Sequence, residues 1–322
     1  MIRLFTHNDL DGLGGPILAS IAYGVDAVTF DSCRYEDINE KVMAYIEEKE
    51  FLNYDKCFIT DISVNEEVAK YISETTLSEG DKTYVLSEHF QLLDHHITAM
   101  PLNAFNWCHV EDTDAEGIKC SGTALFYRYL LTLDAPFKEN LTKHLTEVFV
   151  EKIRRYDTWD WAKFEDLEAK QLNDLFYLLG KERFMEYWCT RLSGEDGEFA
   201  FDETQKLILD IRQNEIDKYI ESRDEDLIER EILGKRAGIV FADRYQSELG
   251  NKLAQLHPEL DFIAMINVGG GVSCRTIKED INLGTDIAAI FGGGGHAKAA
   301  GLPVKDEIRE MVIQSIFTPP EN

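Results

Sequence analysis

Basic residues are scarce in this chain. Only 33 Lys and Arg stand against 60 Asp and Glu, a formal net charge of −27, so the broad basic stripe by which proteins hold long nucleic acid nonspecifically is not expected. The six cysteines, at 33, 57, 108, 120, 189 and 274, include no Cys-x-x-Cys pair, which argues against both a zinc ribbon and a disulfide framework. No stretch reaches the roughly 18–20 uninterrupted apolar residues of a membrane span. The chain enters a strand pattern directly at Ile2, so neither an export signal nor a membrane partner is expected, and a cytoplasmic location is. Internal repeats and low-complexity tracts are also missing.

What is present suffices for two cores: 322 residues, 44% of them hydrophobic. The first part alternates strands with helices, one after Pro16 and others over 35–50, 65–75 and 121–131, a pattern that predicts an α/β fold with a mainly parallel sheet covered on both faces. Residues 199–231 are highly charged with few breakers and a rough helical period through Leu207, Ile211, Ile216, Tyr219 and Ile220, which predicts one long connecting helix. Three further strands, 237–242, 262–268 and 271–277, with a helix over 246–256, make a smaller C-terminal α/β domain. The expected division is 1–198, a connecting helix at 199–232, and 233–322. Residues 233–322 carry 9 Lys and Arg against 11 Asp and Glu, so a net −25 of the total falls on residues 1–232.

Three predicted strands run into metal-competent side chains. Ile2 to Thr6 leads into His7-Asn8-Asp9-Leu10-Asp11-Gly12, where alternation points His7, Asp9 and Asp11 one way and Gly12 with Gly14 permits a sharp turn into a helix. A simple Asx-turn and helix cap would need one Asp. An EF-hand loop is excluded, because the twelfth position from His7 is Leu18 and not Glu. Lys56 to Thr60 ends at Asp61, and Phe90 to Leu93 ends in Asp94-His95-His96. Open α/β sheets place their sites at such strand ends. Farther on, Arg154 to Trp161 reads in isolation as a helix end with aromatic anchors, yet with the other segments its Asp157 supplies the carboxylate that would close a two-metal site. Carboxylates mixed with imidazole suit Mn²⁺, Co²⁺ or Mg²⁺ better than a closed structural zinc centre.

The C-terminal part adds Phe291-Gly292-Gly293-Gly294-Gly295-His296-Ala297-Lys298. Four glycines are an entropically expensive turn, but they let backbone amides approach a phosphate, with His296 and Lys298 alongside. A dinucleotide fingerprint is excluded, since the run follows a helix-like stretch, 286–291, and no strand. Upstream, alternation over Val272 to Thr276 sends Ser273 and Arg275 to one face, where Arg275 is a candidate phosphate clamp.

In this order the segments resemble the DHH phosphoesterase superfamily in its DHHA1 subfamily. The resemblance rests on His-x-Asp-x-Asp-Gly at 7–12, Asp61, Asp-His-His at 94–96, Asp157-Thr158, Ser-x-Arg at 273–275 and Gly-Gly-Gly-His at 293–296. It spans nearly the whole chain. Asn8 followed directly by Asp9, Ile59-Thr60-Asp61 and Tyr156-Asp157-Thr158-Trp159 are most similar to the oligoribonuclease (nanoRNase) branch, which degrades short RNA of about two to five nucleotides to 5′-mononucleotides. The resemblance implies a catalytic metal domain at 1–198 and a DHHA1 substrate-binding domain at 233–322. It implies one metal, most readily Mn²⁺, on His7, Asp9 and Asp61 and a second on Asp11, Asp61, His95 and Asp157. His96 would sit at the scissile phosphate and Asp94 would fix an imidazole. Ser273, Arg275, Gly293, Gly294, Gly295, His296 and Lys298 would bind substrate. The implied partners are short single-stranded RNA or a small nucleotide and not long nucleic acid, with the oligomeric state left open and a homodimer admitted. A pAp phosphatase, a cyclic mono- or dinucleotide phosphodiesterase of the same superfamily, and a non-catalytic nucleotide-binding module are the alternatives.

Overall fold

A computed structural model describes residues 1–80 and 82–318. By contacts the chain divides into Met1–Leu209 and Asp210–Asn322, and each unit is taken by itself.

The first unit is built on a sheet of strands β1 (Ile2–Thr6), β2 (Val28–Ser32), β3 (Lys56–Thr60), β6 (Phe90–Asp94) and β7 (Cys108–Val110), all parallel and in the order β2-β1-β3-β6-β7. The intervening β4 (Thr76–Glu79) and β5 (Lys82–Val85) form a separate hairpin. Alternating side chains feed two cores. Leu4, Phe58 and Leu93 face α1 (Leu10–Tyr23), α5 (Gly122–Leu130), α6 (His144–Asp157), α8 (Leu167–Leu179) and α9 (Lys181–Ser193). Phe5, Ile59 and Leu92 face α2 (Ile38–Glu47), α3 (Glu66–Glu74) and the short α4 (Leu86–His89). The expected parallel sheet covered on both faces is therefore present. One further short helix, α7 (Asp160–Lys163), follows α6.

Helix α1 begins at Leu10, six residues ahead of Pro16, which lies inside it. Proline cannot donate to the carbonyl four residues back. That carbonyl belongs to Gly12, and it accepts instead from the Thr6 hydroxyl at 2.6 Å. The helix thus survives its proline because the strand before it supplies the missing donor.

The segment expected as one helix over 199–232 is a helix only over α10 (Glu203–Glu225), and Ile228–Ile232 is strand β8. Strand β8 pairs antiparallel with β9 (Lys235–Phe241), and this pairing overrides the helical preference of its Glu and Arg. Leu207 and Ile211, part of the rough helical period, lie within α10 and are exposed. Leu209 joins the first unit's core, while Ile216 and Ile220 join the second's.

In the second unit the sheet runs β12-β13-β11-β10-β9-β8, with β10 at Phe262–Asn267, β11 at Gly271–Arg275, β12 at Gly294–Gly295 and β13 at Ala299–Leu302. Helix α11 (Gln246–Leu256) makes the crossover between the parallel β9 and β10. Leu249 and Leu253 of α11 pack with Val240, Ile263 and Met265. Helix α12 (Leu283–Asp286) packs on the opposite side, and α13 (Asp306–Phe317) follows β13. Among the described residues no helix is long and apolar enough to cross a membrane.

Candidate metal centre

Parallel pairing aligns strand ends. Thr6 is level with Thr60, and Thr60 with Leu93, so His7, Asp61 and Asp94 emerge side by side at the C-terminal edge of three adjacent strands. The approach is tight enough to constrain side chains elsewhere. A Cβ on Gly122 would lie 2.7 Å from Asp61 Cα, and Asp61 itself takes a left-handed conformation, φ 60°, which non-glycine residues adopt at a cost and most readily as Asp or Asn.

Asp61 stands between two sets of potential ligands. Its Oδ2 is 3.9 Å from His7 Nδ1, which is 2.7 Å from Asp9 Oδ2. Its Oδ1 is 3.2 Å from His95 Nε2, and that nitrogen is 3.7 Å from Asp11 Oδ2 and 3.6 Å from Asp157 Oδ2. Within each of the sets His7/Asp9/Asp61 and Asp11/His95/Asp157 the ligand atoms lie within 4.8 Å of one another. All six residues expected as metal ligands are thus gathered in one place.

Two of the carboxylates are held by backbone amides. Asp9 caps α1, accepting from the Gly12 amide at 2.9 Å. The buried Asp11 accepts from the Gly122 and Thr123 amides at 2.6 and 3.0 Å, the free donors at the start of α5. Asp157 is the last residue of α6, where the negative end of the helix dipole opposes a carboxylate and favours a cation.

The electrostatics divide the acids. Burial pushes the Asp61 carboxyl well above its ordinary value, and the neighbouring Asp11, Asp9 and Asp157 push it the same way. Asp157 is raised by burial and then by Asp11 and Asp9. For Asp9, burial is outweighed by the hydrogen bonds from His7 and Gly12, which hold it below the usual range. A buried oxygen of Asp61, Oδ2, has no hydrogen-bond partner. An orphaned acceptor amid carboxylates that repel one another fits a cation site: a bound cation would satisfy the one and offset the other.

Asp94 is differently engaged. Its Oδ1 accepts from the His95 amide at 2.8 Å and from His96 Nδ1 at 2.7 Å, and its Oδ2 accepts from the Ser63 hydroxyl. Burial would raise it, but these bonds hold it low, and in return the Asp94 bond raises His96 against the effect of burial. With Nδ1 committed to Asp94, His96 turns Nε2 outward, 3.1 Å from the Tyr35 hydroxyl. Tyr35, 54% exposed, also lays its ring 5.2 Å from that of His7. Neither Tyr35 nor Ser63 stands out in the sequence, since each meets its partner across 61 and 31 residues respectively.

The second unit holds the other candidates. Ser273 donates to Gln246 at 2.6 Å, and the half-buried Arg275 reaches Ser247 at 3.1 Å. Both therefore face the first turn of α11, as alternation predicts. Pairing places Arg275 opposite Ala299, whose carbonyl accepts from the His296 amide at 2.7 Å. Gly294 and Gly295 form an edge strand against Gly301 and Ala300, so this part of the glycine run is ordered into the sheet. Gly293 packs against the Gly301 carbonyl too closely to admit a Cβ. His296 is exposed. Lys298 is already committed: its ammonium is held by the Lys278 carbonyl and lies 3.3 Å from Glu279.

No protein-family profile matches the chain. It is 37% identical to oligoribonuclease NrnB of Bacillus subtilis (strain 168), covering 98% of this chain and 76% of that protein. The fold is similar to that of the pGpG-specific phosphodiesterase PggH of Vibrio cholerae, with 14% identity, coverage of 99% and 98%, and a TM-score of 0.53. A more distant likeness is to RecJ in complex with Mn²⁺ from Thermus thermophilus, at 15% identity, 99% and 52% coverage and a TM-score of 0.48.

Proposed function

The chain belongs to the DHH phosphoesterase family of oligoribonuclease NrnB, and from that premise we propose that it hydrolyses short RNA, about two to five nucleotides long, to 5′-mononucleotides. The observation that supports this best is Asp61, a buried carboxylate with one oxygen toward His7 and the other toward His95, 3.9 and 3.2 Å away. On this reading His7, Asp9 and Asp61 hold one divalent cation and Asp11, Asp61, His95 and Asp157 a second, with Mn²⁺ preferred. Two such cations, when bound, would supply an acidified water and electrostatic stabilisation for an in-line displacement at phosphorus.

The remaining work falls to the chain. Asp94 fixes the His96 ring by holding Nδ1, as a hydrogen-bonded carboxylate orients an imidazole. His96 Nε2 is then presented to a phosphate oxygen, and the raised basicity of His96 favours the protonated form that donates there. Arg275 and His296 bind nucleotide phosphate, with Ser273 and the Gly294–Gly295 backbone assisting; the Gly293 amide, expected to help, is already given to the Ala288 carbonyl at 2.8 Å. Lys298 contributes only after leaving Lys278 and Glu279. Six buried, free cysteines fit a reducing, cytoplasmic setting.

Replacing Asp61 tests the proposal. Asp61→Asn removes the charge shared by both ligand sets, and turnover of a trinucleotide RNA in Mn²⁺ should fall by more than the about 100-fold that loss of a supporting partner costs. An Asp61→Asn protein that retained native turnover would refute it.

A further inference from the structure

A cavity of about 330 Å³ opens beside His96 and Asp94, within the about 300–1,000 Å³ typical of small-molecule sites. None of the six expected metal ligands lines it. Its walls come from the loop after β2, the start of α2, the segment between β3 and α3, and the turn after His96, elements that carry none of the motif residues apart from Asp94 and His96.

The chemistry of the walls is selective. Val64, Ala99, Pro101 and Leu102 give an apolar floor, and Tyr35 offers an exposed aromatic face at the mouth. Asn39 accepts the Asn65 amide on its Oδ1 at 2.8 Å, and Asn65 accepts the Val68 amide on its own at 2.9 Å. Each carboxamide oxygen accepts one backbone bond and keeps a second lone pair, while the NH₂ group carries two donors, so each side chain can donate to a ligand and accept from it. Glu66 adds an acceptor, and Thr98 a hydroxyl. The lining includes no Lys and no Arg. A second phosphate would therefore meet the Glu66 and Asp94 carboxylates and, with His96 taken by the scissile phosphate, no further cation, whereas an uncharged, flat, hydrogen-bonding group would meet an aromatic face, an apolar floor, donors and acceptors.

We infer that this cavity is a nucleoside subsite of the catalytic unit, holding the base and ribose esterified to the scissile phosphate while His96 addresses that phosphate. The inference rests on the proposed phosphodiesterase reading and adds to it a place for one nucleoside with no further phosphate. Tyr35 is the hinge of the assignment. Its hydroxyl already marks the position at His96 Nε2 that a phosphate oxygen would take, 3.1 Å away, and its ring, tilted against His7 at 5.2 Å and edge-on to His96 at 6.0 Å, keeps an exposed surface on which a base can stack.

Binding of 5′-AMP, 3′-AMP and inorganic phosphate to the full chain in Mn²⁺, measured by calorimetry, separates nucleoside recognition from phosphate recognition. The native protein should bind one of the two monophosphates at least tenfold more tightly than phosphate, and which one shows the ribose oxygen through which the nucleoside is joined. Thr98→Trp, at an exposed position on the rim, should fill the cavity and abolish that advantage while leaving phosphate binding unchanged. Tyr35→Ala should lose the same advantage, and Tyr35→Phe, which keeps the ring, should retain it. Monophosphates that bind no better than phosphate, or an advantage untouched by Thr98→Trp and Tyr35→Ala, would overturn the subsite. Failure of phosphate itself to bind in Mn²⁺ would instead overturn the metal-centre reading, and the subsite with it.

Discussion

At the scale of single residues, the candidate metal centre gathers acids in a way the bare protein resists. Asp61 and Asp157 are both raised by burial and by the other acids around them. A carboxyl raised on folding stabilises the fold fully only below its unfolded value, near ~3.9, and that contribution is lost as pH climbs through the folded value. The metal-free protein should therefore lose melting temperature relative to its Asp61→Asn variant as pH rises from about 4 into the neutral range, with Mn²⁺ restoring the loss. Asp9 and Asp94, held low, act below about 4, but His89, which burial lowers to about 4, adds stability as pH rises through the same interval, so the contribution of the acids is read as the difference between the native protein and Asp61→Asn. Thermal melts of the native protein and Asp61→Asn across pH, with and without chelator, check this; metal-free curves of the two that ran parallel over that range would contradict it. The candidate ligands His7, Asp61 and His95 are legible in the sequence because each stands where a strand pattern closes, His95 directly after Asp94. Tyr35 is not, because nothing local distinguishes a loop tyrosine until folding brings it to His96.

At the scale of elements, the sheet decides where ligands stand and the helices decide how closely they approach. Helix α5 serves twice, giving its first amides to Asp11 and bringing Gly122 against the Asp61 backbone. Gly122→Ala should push the two apart, costing about 1–3 kcal/mol as an overpacked core change does and lowering activity more than stability alone explains. Denaturant unfolding beside trinucleotide turnover measures both; a Gly122→Ala protein with native values of each would show the contact to be slack. Strands β1, β3 and β6 and helices α3, α5 and α11 are readable from periodicity and caps, since Asn65 and Ser121 do cap their helices. Strand β8 is not, because Ile228-Glu229-Arg230-Glu231-Ile232 continues a charged helical pattern. Only its pairing with β9, which local pattern does not contain, makes it a strand. The start of helix α1 is hidden for a related reason: Pro16 reads as a start until Thr6 is seen to satisfy Gly12.

At the scale of the whole molecule, phosphate recognition and metal binding are assigned to different units, which makes them separable. Arg275→Ala should raise KM for short RNA, with a smaller loss in kcat, and leave bound Mn²⁺ unchanged; loss of metal from that variant would contradict the assignment. The net charge of −27 should repel long RNA more than short, and added salt should relieve that repulsion. If the preference for short chains persists unchanged in high salt, the shape of the site and not its charge sets the limit. The most direct measurement follows product formation from 5′-labelled RNA of three and of 24 nucleotides at low salt, in Mn²⁺ and after chelation. The account predicts 5′-mononucleotides from the trimer in Mn²⁺, far slower cleavage of the longer RNA, and no turnover of either once metal is removed. Turnover of the chelated protein, or equal rates on the two lengths, would contradict it.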